Sequence, residues 1–200
     1  MKKKNRGWII ALVIVAVVIL GFVRWGVRTY NGFVTLEEGV EGQWGQVEAS
    51  YQRRGDLIPN LVATVKGYAE HEQETLTGVI EARAKATSVT IDPTNITPES
   101  LASFQQAQDG LSSALSRLMV TIERYPDLKA NQNFLALQDQ LEGTENRINF
   151  ERKKFNEITR GYNTSIRKFP ASIIANNQGF EKKIYFEAAE GSEVAPSVEF

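Results

Sequence analysis

Two hundred residues with 42% hydrophobic and 24% charged side chains, 15 Gly, 6 Pro and no Cys describe one modest folded domain and exclude a disordered, collagenous or disulfide-stapled chain. The near-neutral total hides a split: the first 28 residues hold six Lys/Arg and no acid, leaving 17 basic against 24 acidic groups, a net of −7, over residues 29–200. That excludes nucleic acid as a partner of the body, because a duplex binder needs clustered Lys/Arg to displace counterions from phosphates.

Residues 1–6 form a basic N-terminus, and residues 7–27 read as a transmembrane anchor. Between Arg6 and Arg24 run 17 uncharged residues, Gly7 to Val23, and Trp25-Gly26-Val27 extends the apolar stretch. At 1.5 Å per residue, such a helix just crosses a hydrocarbon core of roughly 30 Å, with Arg24 snorkelling and Trp8 and Trp25 at the two interfaces. A cleaved signal peptide is the rival reading, but Phe22-Val23-Arg24-Trp25 offers no small-x-small cleavage site. Lys2, Lys3, Lys4 and Arg6 before the span outweigh Arg24 and Arg28 after it, so the positive-inside rule gives a cytoplasmic N-terminus and an extracytoplasmic body.

From Tyr30 onward apolar residues recur at steps of three and four, the period of amphipathic helices and not of strands. The fold class is all-α: residues 28–170 are expected to form an antiparallel up-and-down four-helix bundle, with helices near 28–54, 57–87, 98–124 and 127–169 and an irregular C-terminal tail over 171–200. Asp92-Pro93 marks a loop, Thr97-Pro98 a helix start, and Tyr125-Pro126 and Phe169-Pro170 helix ends. The junction Arg53-Arg54-Gly55-Asp56-Leu57-Ile58-Pro59 is read as a stop and restart. The seam nevertheless runs almost in phase from Tyr51 through Ile58 to Val65, as in one long helix kinked at Pro59. The bundle reading favours two helices, since four seams of similar length leave no face exposed.

No catalytic, cofactor-binding or metal site is expected. His71 precedes Glu72, yet position 75 is Thr, so the zinc-protease spacing fails. The glycines at 39, 42 and 45 lack a phosphate-loop context and read as a close helix contact. The distinctive polar set is Arg53, Arg54, Asp56 and Asn60 at the junction, with Glu145, Arg147 and Glu151 on the fourth helix, where seam charges specify register or build a partner-binding patch. Phe155-Asn156 and Tyr162-Asn163 lie seven residues apart on one helix face and read as a tyrosine–asparagine ladder.

These motifs resemble the LemA family of bacterial membrane proteins. The resemblance rests on Arg53-Arg54-Gly55-Asp56-Leu57-Ile58-Pro59-Asn60-Leu61-Val62, Tyr125-Pro126-Asp127-Leu128-Lys129-Ala130-Asn131, Glu145-Asn146-Arg147-Ile148 and Tyr162-Asn163. It implies an N-terminal transmembrane helix, a four-helix bundle and no established enzymatic activity. The expected protein is single-pass in the bacterial cytoplasmic membrane, contacting the bilayer through residues 7–27. Its body acts as a non-enzymatic scaffold or adaptor for envelope protein partners, with homo-oligomerisation possible and no nucleic acid bound. The competing expectation is an accessory subunit or carboxylate-dependent hydrolase of the envelope.

Overall fold

The computed structural model describes residues 4–69 and 71–186. Among the described residues the fold is all-α without strands: α1 (Lys4–Lys66), α2 (Gln73–Ser88), α3 (Pro98–Ile122), the single turn α4 (Pro126–Lys129), α5 (Gln132–Arg167) and α6 (Ala171–Gln178). The described residues divide into two compact units, 41–157 with 184–186 and 4–40 with 158–183, and both α1 and α5 contribute to each.

The expected break at Gly55-Asp56 is absent, because α1 runs unbroken through Pro59. Continuity keeps Tyr51, Ile58, Leu61 and Val65 on one buried face, each side chain adding about 1.5–3 kcal/mol of burial. The second helix therefore starts at Gln73, not at 57. The predicted helix over 127–169 is also corrected. It is split into α4 and α5, because Ala130 ends the short turn and the Asn131 side chain caps α5 by accepting from Phe134 N at 3.1 Å. Gly143 sits inside α5 without breaking it.

The larger unit buries one core: Ile58, Leu61 and Val65 of α1, Leu76 and Val79 of α2, Leu111 and Leu118 of α3, Leu128 of α4, and Phe134 and Leu141 of α5. Side-chain bonds between α1 or its C-terminal turn and the chain from 131 to 151 pair Gln43 with Glu151, Arg54 with Glu145 and Tyr68 with Asn131. α3 starts as its sequence predicts, with Thr97 and Ser100 in a reciprocal capping box and Pro98 in the first turn. The glycines at 42 and 45 face open space, and a Cβ at Gly39 would meet only Ile158 Cγ2 at 3.9 Å, so the expected close helix contact is not made there.

In the smaller unit, Phe180 packs edge-on against Phe33 and Tyr30, with ring centroids 5.3 and 5.6 Å away. Residues 171–178 of the expected irregular tail are helical. α6 ends at Gly179, whose positive φ of 77° sends its N–H back to the Ala175 carbonyl. The chain then runs without regular structure from Phe180 to Phe186, and the remainder of the predicted tail, 187–200, lies outside the described residues. Toward the N-terminus α1 is apolar and bare: Trp8, Leu20 and Phe22 stand about 70% exposed, and this is the one described helix long and apolar enough to cross a membrane.

Candidate functional site

Arg54 is the polar centre of the larger unit. Its side chain is only 3% exposed. One terminal nitrogen donates to Ser112 Oγ and Glu145 Oε2, both at 2.9 Å, and the other to the Gln108 side chain at 2.8 Å and to its main-chain carbonyl at 3.2 Å. The guanidinium also lies 5.2 Å from the centre of the Tyr51 ring. Burial pushes the Tyr51 hydroxyl above its ordinary pKa, while the Arg152 and Arg54 charges pull it back. Gln108 is held in turn by donating to the Ala86 carbonyl at 3.1 Å, so one arginine joins α1, α3 and α5 and, through Gln108, reaches α2.

Glu151 forms a second buried centre, with Arg147 one turn before it on α5 at 2.6 Å and Gln43 of α1 donating to its other oxygen. The structure thus pairs four residues of the predicted polar set, Arg54 with Glu145 and Arg147 with Glu151. Arg53 and Arg147 line one open groove of about 480 Å³, together with Ala49 and Gly143. Asp56 and Asn60 join neither centre. Asp56 accepts from Gln52 along α1, and Asn60 is exposed.

The Tyr125-to-Asn131 motif is a connector. Tyr125 Oη and Arg124 Nη2 both donate to Glu72 Oε1, at 2.9 and 3.0 Å, and the first of these bonds raises the Tyr125 pKa. Leu128 is fully buried, and Asn131, besides capping α5, donates to Tyr68 Oη at 2.8 Å. His71 stands exposed in the same turn.

The asparagines of the expected tyrosine–asparagine ladder hold the extended segment near the C-terminus. The Asn156 carboxamide takes both main-chain groups of Phe186, donating to its carbonyl and accepting from its N–H at 2.9 Å each. Asn163 does the same to Lys183 at 2.8 and 2.9 Å. Seven helical residues rise about 10.5 Å and three extended residues span about 10 Å, so the repeat in α5 matches the repeat in the arm. Phe186 stacks on Trp44 at 5.6 Å with Arg152 4.8 Å from its ring centre, and Lys183 Nζ pairs with Glu37 at 2.8 Å. Tyr162 is fully buried beside Asn163. Gln43, Gln108 and Ser112 escaped the sequence reading because each acts through a partner distant in the chain. The residue spacing of Asn156 and Asn163 was the single usable hint.

A sequence profile of the LemA family matches residues 43–200. The chain is 26% identical to Magnetosome protein MamQ 2 of Paramagnetospirillum magneticum, over 93% of this chain and 75% of that relative. It is 25% identical to Magnetosome protein MamQ of Magnetospirillum gryphiswaldense over 92% and 75% of the two chains, and 24% identical to Protein LemA of Metamycoplasma hominis over 80% and 69%. With the profile spanning more than three quarters of its length, this protein belongs to the LemA family.

Proposed function

We propose that this single-pass protein holds an antiparallel up-and-down four-helix bundle at the bacterial cytoplasmic membrane, N-terminus inside and body outside, as a non-enzymatic scaffold or adaptor for envelope proteins. The observation that carries this reading is the use made of the buried polar groups: Arg54, Gln108, Gln43 and Glu151 spend their hydrogen bonds on helix-to-helix register. Exposed Arg53 and Asn60 leave α1 with a polar outer face for protein partners. The descending partners of α1, from Glu151 through Glu145 to Asn131, support the antiparallel arrangement. Photocrosslinkers at positions 53 and 60 in intact cells should give discrete adducts with envelope proteins. Adducts with cytosolic proteins alone would overturn the orientation, and none at either position would overturn the scaffold.

One observation favours the competing reading of a carboxylate-dependent hydrolase. Glu145 is half exposed and shares with Glu142, Arg54 and Leu141 the lining of a groove of about 550 Å³. A hydrolase would lose turnover of a screened cell-wall substrate on Glu145→Gln. The scaffold reading expects no turnover to lose, with Glu151→Gln as the second control.

A further inference from the structure

The large apolar side chain with the highest fractional exposure among the described residues lies outside the span: Phe169, 83% exposed, followed four residues later by Ile173 at 62%. Both belong to the turn and first residues of α6, and α6 sits at the end of the apolar stretch of α1, where a Cβ on Gly26 would lie 4.0 Å from Ile174 Cδ1. In water an exposed phenylalanine and isoleucine side by side forfeit the gain of burial, so a covering medium is expected. The surrounding charge says which medium. Arg24 and Arg28 on α1 and Arg167 and Lys168 at the end of α5 are all exposed and all basic, beside Trp25 at the interfacial position of the span.

We propose that α6 is a second membrane contact: Phe169 and Ile173 insert into the interface of the same bilayer that α1 crosses, and the four basic side chains engage anionic phospholipid headgroups. The occupant is lipid because α6 adjoins the end of the span at Gly26 and the exposed charges next to both in sequence, at 24, 28, 167 and 168, are cations. α6 then lies on the bilayer as an interfacial helix, its buried Ala175 turned to the protein and Ile173 to the acyl boundary. The proposal rests on residues 7–27 spanning the bilayer.

The absence of native cysteine allows a direct test on the full chain. Single cysteines at Phe169, Ile173, Val15 and Val120 are labelled with nitrobenzoxadiazole, and the proteins are reconstituted in vesicles of phosphatidylcholine with phosphatidylglycerol, with and without doxyl-labelled lipid. Val15 reports on the span alone, and Val120, 70% exposed on α3, is the control for an exposed apolar site elsewhere. Quenching by shallow doxyl lipid at 169 and 173 and by deep doxyl lipid at 15, with at least about threefold less by either at 120, is the expected result, and removing phosphatidylglycerol should weaken it at 169 and 173 only. Quenching at 15 with iodide access at 169 equal to that at 120 overturns the α6 contact while leaving the span intact. No quenching at 15 overturns the span itself. Protection of 169 from both doxyl lipid and iodide means that protein covers the patch, which also overturns the proposal.

Discussion

Arg83 Nε donates to the main-chain carbonyl of Gly55 at 2.7 Å. That carbonyl would ordinarily accept from the amide four residues on, which is Pro59 and has no N–H. A side chain from α2 therefore completes the hydrogen bonding of α1 at the point where proline opens it. Arg83→Ala should cost about 1–3 kcal/mol, the penalty for a buried carbonyl without a donor. Pro59→Ala restores the backbone amide, so in that background the same change should cost well under half as much. Urea unfolding followed by helical circular dichroism closes the double-mutant cycle. Equal costs in the two backgrounds would refute the account.

Gly55 serves the same contact sterically, since a Cβ there would lie 3.2 Å from Thr87 Cγ2. Alanine in place of glycine inside a helix is worth about 1 kcal/mol. Gly55→Ala should deliver most of that gain only when Thr87→Ser removes the opposing methyl, and clearly less with Thr87 intact. Thermal melts of the two singles and the double measure the difference.

Arg54→Ala removes a buried cation that four acceptor atoms surround, and should destabilise the protein by about 3–5 kcal/mol. Arg54→Met keeps the packing over Tyr51 and should recover part of the loss. Glu145→Gln keeps an acceptor for Arg54 but removes the carboxylate beside a buried guanidinium, so it should cost about 1.5–3 kcal/mol, less than Arg54→Ala. Chemical denaturation ranks the three, and a Glu145→Gln cost matching that of Arg54→Ala would contradict the geometry.

Tyr125 and Tyr51 both have raised pKa values, the first through the bond to Glu72 and the second through burial. A raised tyrosine favours the protonated phenol in the folded state. Its contribution is complete below the ordinary value of about 10 and is lost as pH climbs through the raised one. Wild type should therefore exceed Tyr125→Phe in stability at pH 8, and the gap should narrow steadily above pH 10. A gap that persists at pH 11 would assign the effect to packing and not to the ionisable hydroxyl.

The helix periodicity, the capping box at Thr97 and the apolar run near the N-terminus were legible because each is a local pattern that backbone geometry reads directly. The break expected at Gly55-Asp56 was not, because glycine and proline disfavour a helix locally and only a distant arginine restores the missing bond. The Arg54–Glu145 pairing was foreseen only as two charged clusters facing a seam. Gln108 and Ser112, which complete it, look like ordinary polar residues of α3.

By itself the sequence determined an acidic, all-helical LemA-family body behind an apolar anchor, since composition, charge order and periodicity are properties of neighbours along the chain. Tertiary structure alone decided that α1 passes through Pro59, that Arg54 sits at the centre and that Asn156 and Asn163 grip an extended arm. Each of these depends on a donor meeting an acceptor tens of residues away. A buried polar group takes whichever partner the packed helices bring within about 3 Å, and spacing in sequence does not encode that distance.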